Sequence, residues 1–251
     1  MTALRDLLDP ARLPELTSDE HGFLDLVADD GADGSTDPRT LAQRAMENPA
    51  LARIYEKVWR PAFTRAFSFG GTATRSHTNE IIDELRSRNA GFVLDVACGP
   101  GLHTRKLAAG ADGLVVGLDL SIPMLREAVR STAGEHVAYL RADAHHLPFD
   151  DNTFDAACCL AALYLIPDPL QVIDEMSRVL KPGGILATFT TADVKLTRLP
   201  MVKPALHRVA GLNVLGLDEI PSTLRQLGFT EISQRIAGQG QFITARKSRT
   251  R

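Results

Sequence analysis

Several things are scarce in this sequence, and each scarcity excludes something. There are three cysteines in 251 residues, Cys98, Cys158 and Cys159. They form no metal-ligand spacing and lie in apolar segments, so they read as reduced thiols that pack like small core residues, and no metal is expected. No apolar run approaches the roughly 18–20 residues that cross a bilayer. The opening "MTALRDLLDPARLPE" has acids and prolines where a secretory signal would carry a continuous apolar stretch. No membrane insertion is therefore expected, and the address reads as cytoplasmic. A large excess of charge is missing too. The net charge of −3 gives nucleic acid no overall electrostatic attraction, and the basic tail "ARKSRTR" reads as a solvated end. What remains, at 44% hydrophobic and 24% charged residues, is a globular chain long enough for one large domain or a domain with a small appendage. A monomer or a dimer is expected.

What is present falls into three parts. Residues 1–40 are rich in Asp, Pro and Gly ("VADDGADGSTDPR"), with few periodic apolar positions, and read as a loosely packed arm. Residues 41–90 read as a helical extension: "DPRTLAQRAMENPALARIYEKVW" spaces its apolar residues by three and four, and "SHTNEIIDELRSRN" starts with cap-type residues and stops at Gly91. From residue 91 to 251, strands and helices alternate: "GFVLDVA", a helix over 102–109, "GLVVGLDL", a helix over 122–131, "HVAYLRAD", "FDAACCLAAL", a helix over 168–180, and "GGILATFTT". That alternation predicts an α/β fold with parallel strands, crossover helices and both sheet faces covered.

The stretch "FVLDVACGPGLHTRKLA" (92–108) ends a strand in a glycine-rich turn. A dinucleotide site wants G-x-G-x-x-G, but here Asp95 precedes Gly99 and Gly101 and the third glycine is missing. A carboxylate near that turn would repel a pyrophosphate. S-adenosylmethionine has no phosphate and carries an ammonium and a sulfonium, so the same acid favours it over NAD. Asp119 ends the next strand, where a carboxylate can accept from both ribose hydroxyls. Asp143, followed by Ala144, ends the third, where a carboxylate can take the adenine amino group and a backbone N–H a ring nitrogen. One such Asp could simply cap the following helix; three at successive strand ends point to a ligand.

Residues 92–190 resemble the class I S-adenosylmethionine-dependent methyltransferases, in the branch that includes the ubiquinone/menaquinone-biosynthesis enzymes. "VLDVACGPG", "VVGLDLSIPML", "RADAHHLPFDDNTFDAACC" and "EMSRVLKPGGILA" match that family's four motifs in order. The resemblance implies a Rossmann-like seven-stranded, mostly parallel sheet with helices on both faces, plus the helical extension and a helical cap insert at about 193–218. It implies Gly99 and Gly101 against the methionyl part, and Ala97 where many members have glycine. Asp95 then lies near the ligand's cations and Asp119 on the ribose, with Leu120, Ser121 and Met124 near the adenosine. Asp143 and Ala144 fall on the adenine, and Leu160 at the mouth of the methyl channel. "GFLDLVADDG", "IYEKVWRPAF" and "GFTEISQRIAGQGQFITARK" are further similar to bacterial and plastid methyltransferase-domain proteins that often carry an N-terminal zinc ribbon. The ribbon's cysteines are absent here, so "GFLDL" reads as a remnant and no zinc is expected.

The implied activity is methyl transfer, giving S-adenosylhomocysteine, to a small lipophilic acceptor at a hydroxyl or carboxylate oxygen in preference to carbon. Methylation of ribosomal or transfer RNA or of protein, and non-catalytic cofactor binding, are the alternatives. A hydroxyl acceptor calls for a base; His145, His146, Tyr164 and Asp168 are candidates by position. Acceptor recognition is expected from Tyr55, Trp59, Arg60, Phe63, Phe67 and Phe69 of the extension and from the insert, which contains His207.

Overall fold

Strands buried on both faces must be apolar along nearly their whole length, and "FVLDV", "LVVGLD" and "FDAACCL" satisfy this with the acid left to the end or turned to one face. The computed structural model describes residues 2–12, 22–27, 48–49, 73–87, 91–109, 111–194, 206–207 and 211–249. Its strands are β1 (Leu24–Asp25), β2 (Phe92–Val96), β3 (Leu114–Asp119), β4 (Val137–Arg141), β5 (Phe154–Leu160), β6 (Leu180–Thr191), β7 (Phe229–Ala237) and β8 (Gly240–Lys247). Among the described residues they form one eight-stranded sheet in the order β1-β4-β3-β2-β5-β6-β8-β7. All neighbours run parallel except the two pairs made by β8. From β2 the chain steps outward through β3 and β4, then returns to the other side of β2 with β5. The crevice beyond the carboxyl ends of β2 and β5 is thus the topological switch point, where open α/β sheets bind ligands.

The α-helices among the described residues are α1 (Thr2–Arg5), α2 (Ala73–Ser87), α3 (Leu102–Ala108), α4 (Ile122–Ser131), α5 (Pro169–Val179) and α6 (Glu219–Gln226). The expected helices at 102–109, 122–131 and 168–180 are found within one residue at each end. Alternate residues of each strand feed opposite faces: Leu94 and Val96 of β2 pack with Val172 and Ile173 of α5 and Leu224 of α6 in one cluster. Val93 packs with Ile81, Ile82 and Leu85 of α2 and Leu107 of α3 in another. All three cysteines are buried and unbridged. Among the described residues no helix is long and apolar enough to cross a membrane.

The N-terminal segment departs from the sequence reading. Its described residues are not loosely packed: Leu4, Leu8, Phe23, Leu24 and Leu26 are buried. "GFLDL" supplies β1, an eighth strand where seven were expected, with Leu24 and Asp25 pairing parallel to Leu140 and Arg141. Asp25 also meets the Arg141 guanidinium at 3.0 Å, and Arg141 Nε donates to the carbonyl of Leu120 at 3.1 Å. A two-residue strand carries no readable period, so pairing with β4, not local pattern, defines it.

Candidate functional site

The loops that leave β2, β3, β4 and β5 enclose a cavity of about 200 Å³. The loop after β2 turns through left-handed backbone at Ala97 (φ 55°), Gly99 (φ 55°) and Gly101 (φ 79°). A Cβ added at Gly99 would meet nothing within 4 Å, because that side of the residue faces the cavity. A Cβ added at Gly101 would instead run into the Tyr139 hydroxyl and sit 3.1 Å from Ala128 Cβ. Gly101 does not line the cavity; it makes room for Tyr139, whose ring also fills the space left by Gly117, 2.7 Å from a Cβ placed there. The Tyr139 hydroxyl is 2.8 Å from Oγ1 of Thr132, the residue that closes the C-terminal end of α4, and burial pushes its pKa up to about 12.

Asp119 joins two of the loops. Its Oδ2 accepts from the Gly99 N–H at 2.7 Å and its Oδ1 from the Ser121 N–H at 2.9 Å. Burial raises its pKa against the opposing pull of those N–H groups. Each carboxylate oxygen keeps a second lone pair, and Asp119 lines the cavity, so both oxygens can still accept from a ligand. Ser121 caps α4 by accepting from the Met124 N–H at 3.4 Å, with Pro123 in the first turn.

Asp95 sits beneath the glycine loop and not at the cavity wall. Its carboxylate accepts from Thr104 Oγ1 at 2.7 Å and contacts Cys158 Sγ at 3.6 Å. Burial pushes its pKa up to about 6, with the Thr104 hydrogen bond opposing. It ties the start of α3 to β2, so its place is structural support for the loop.

After β4, Asp143 Oδ1 accepts from the His145 N–H at 2.9 Å and lies 2.7 Å from His145 Nδ1. The other ring nitrogen, Nε2, is 2.6 Å from the Pro167 carbonyl, in the loop after β5. Burial pulls the Asp143 carboxyl up, but the backbone and ring of His145 outweigh it and hold the group below its ordinary value. Burial likewise pulls His145 down, and the Pro167 carbonyl and Asp143 more than reverse this. The wall after β5 differs: Leu160, Ala161, Ala162, Leu165, Ile166 and Pro167 carry no ionisable side chain. Asn213 braces it from outside, its N–H donating to the Tyr164 carbonyl and its Nδ2 to the Ile166 carbonyl, each at 2.8 Å.

Of the residues expected from sequence to touch a cofactor, Ala97, Gly99, Asp119, Leu120, Ser121, Met124, Asp143, Ala144 and Leu160 all line this cavity. Asp95 and Gly101 do not, for the reasons above. The base candidates fare differently. His146 points to solvent with 76% of its side chain exposed, Tyr164 is buried behind the wall, and Asp168 is exposed at the start of α5. None of the three lines the cavity. His145 lines it, but both ring nitrogens are turned to protein acceptors, Asp143 Oδ1 and the Pro167 carbonyl, and neither to the open cavity. His207 is exposed; Tyr55, Trp59, Arg60, Phe63, Phe67 and Phe69 lie outside the described residues. The sequence reading missed His103, a buried lining residue in the first turn of α3, and the wall from Ala161 to Pro167. The position of His103 two residues after Gly101 was the available signal.

Residues 94–188 match the methyltransferase domain family. The chain is 33% identical over 210 residues to the demethylmenaquinone methyltransferase of Clavibacter sepedonicus, covering 75% of this chain and 78% of that protein. The chain is a class I S-adenosylmethionine-dependent methyltransferase. This methyltransferase is also 29% identical over 239 residues to an uncharacterized chloroplastic methyltransferase of Arabidopsis thaliana, covering 92% of this chain and 67% of that one; against a second Arabidopsis relative it spans 62% of the length. Among solved structures, the phosphoethanolamine N-methyltransferase 2 of Haemonchus contortus, in complex with S-adenosylmethionine, shares the fold at TM-score 0.60 and 20% identity, over 71% of this chain and 53% of that one.

The residues present fit the cofactor. The open face of Gly99 leaves a cradle that any side chain would fill, Asp119 has acceptor capacity to spare, and Leu120, 48% exposed on the rim, offers a flat apolar surface.

Proposed function

We propose that this methyltransferase transfers its methyl group to a small, lipophilic acceptor of quinone or fatty-acid type, at a hydroxyl or carboxylate oxygen in preference to carbon. The observation that carries this reading is the wall after β5. Six lining positions between Leu160 and Pro167 present only carbon and backbone, which suits an apolar body held by burial at about 25 cal/mol per Å2. The acceptor named for the Clavibacter relative, demethylmenaquinone, is a compound of this kind.

In this reading Asp119 accepts from the ribose hydroxyls, Asp143 and the Ala144 N–H hold adenine against Leu120 and Met124, and the Gly99 face accommodates the methionyl chain. When bound, the cofactor supplies an electrophilic methyl on a sulfonium, so the chain's tasks are to align the acceptor, exclude water and, for a hydroxyl, remove a proton. Leu160, Ala161 and Ala162 exclude water from that end. A carboxylate acceptor needs no base; for a hydroxyl, His103 replaces His146, Tyr164 and Asp168 as the lining residue positioned to take the proton. A small-molecule partner, no metal and a cytoplasmic address complete the reading; the plastid location belongs to the Arabidopsis relative.

Purified protein with S-adenosylmethionine should be offered demethylated quinones, fatty acids and total RNA in parallel, with mass spectrometry of each for the gain of one methyl. Methylation of RNA with none of the lipophilic compounds would replace this reading, and cofactor binding without turnover on any of them would favour a non-catalytic binding protein.

A further inference from the structure

His145 is the residue whose contacts the methyl-transfer chemistry leaves unused. Its ring spans two loops: Nδ1 lies 2.7 Å from Asp143 Oδ1 and Nε2 lies 2.6 Å from the Pro167 carbonyl. Both partners are acceptors, so a neutral imidazole, with one N–H, satisfies only one of them; the doubly protonated ring satisfies both. Asp143, His145 and Pro167 all line the cavity. The charged groups that face the ring are Asp143 from the loop after β4, Asp168 from the start of α5, and the neighbouring His146; the Gln171 amide on α5 holds the His145 carbonyl.

We propose that His145 is a positioning residue for cofactor binding: as an imidazolium it fastens the loop after β4 to the loop after β5 across the adenosine end, and occupies one oxygen of Asp143 so that the other is aimed at adenine. This rests on the placement of adenine at Asp143. The clasp has a direction with pH. Its second hydrogen bond exists while the ring is charged and is lost as pH rises through the imidazolium's raised pKa. The neutral ring then releases either Pro167, freeing the β5 loop, or Asp143, freeing the carboxylate to turn.

The test measures S-adenosylhomocysteine affinity by calorimetry from about pH 6 to about pH 9, a window that spans imidazole titration, for the wild type, His145→Gln and Asp143→Ala, with a thermal melt of each. Wild-type affinity should fall about tenfold across this range, the size of one lost charge-assisted hydrogen bond. His145→Gln should bind at the weaker level throughout with no such slope. By linkage the ligand should also raise the His145 pKa read by NMR of its ring, a readout that a purely structural histidine would not give. A slope in His145→Gln equal to that of the wild type, or a His145 pKa that does not move with ligand, overturns the clasp. Unchanged affinity in Asp143→Ala overturns the placement of adenine itself, whereas lost affinity there with an unaffected His145→Gln overturns the clasp alone.

Discussion

At the β3 and β4 edge of the cavity the carboxylates of Asp119 and Asp143 are each held by backbone N–H groups at 2.7–2.9 Å, whereas the β5 edge, from Leu160 to Pro167, offers an apolar surface. In the proposed function the first edge would fix its ligand by directed bonds that allow little variation in the ligand's chemistry. The second offers no directed side-chain bond, and in the proposed function it would select an acceptor by shape and burial, which tolerates many compounds of the same general character. One binding cavity thus combines a strict half and a permissive half, and the fold supplies both from equivalent positions at successive strand ends.

Substitutions sharpen that contrast in order of expected size. Gly101→Val forces a β-branched residue into left-handed backbone and into the Tyr139 hydroxyl, and should destabilise the fold by about 3 kcal/mol. A thermal melt reads this; a melt unchanged from wild type would mean the residue serves the ligand and not Tyr139. Asp119→Ala should weaken S-adenosylmethionine by about 1.5–3 kcal/mol, measured by calorimetry. If affinity instead survived, the strict edge would not be strict.

Asp95→Asn moves stability in the other direction. The carboxyl ionises at 3.8 when unfolded and at about 6 when folded, so as pH rises between those values the unfolded chain gives up its proton first and the fold loses stability. The loss persists above that range. The amide keeps an acceptor for Thr104 without the buried charge, and should gain up to about 3 kcal/mol at pH 8 and nothing near pH 3, as read from urea unfolding at the two values. His146→Ala, at an exposed position outside the cavity, should change stability and cofactor affinity by no more than about 0.5 kcal/mol; a large loss of turnover would return it to the site.

The strict edge was largely legible in the sequence and the permissive one was not. Asp119 and Asp143 announce themselves because an acid closing an apolar run is rare and carries a polar requirement, and the strand-helix alternation places them at one edge. The stretch from Ala161 to Pro167 is apolar inside an apolar context, so nothing local separates a cavity wall from core. Asp95 was misread for a related reason: strand-end acids look alike in a sequence, and only the alternation of β2 about its own axis, which turns this one down toward Thr104, distinguishes support from lining. His145 was visible as half of a His-His pair, but its second partner, the Pro167 carbonyl, comes from a loop that the sequence does not show to be adjacent. The buried N-terminal leucines were hidden by the acidic and glycine-rich text around them.

Tyr139 fills the room left by Gly101 and Gly117, and this makes three positions on three different strands or loops a single packing unit. A larger residue at 101 has to be accompanied by a smaller one at 139. Gly101→Ala combined with Tyr139→Phe, which removes the oxygen the new methyl would strike, should therefore cost less stability than the sum of the two single losses, as read by thermal melts of the three variants. The order of substitution therefore matters: room made first at 139 lets a methyl enter at 101, whereas the methyl placed first meets the tyrosine oxygen.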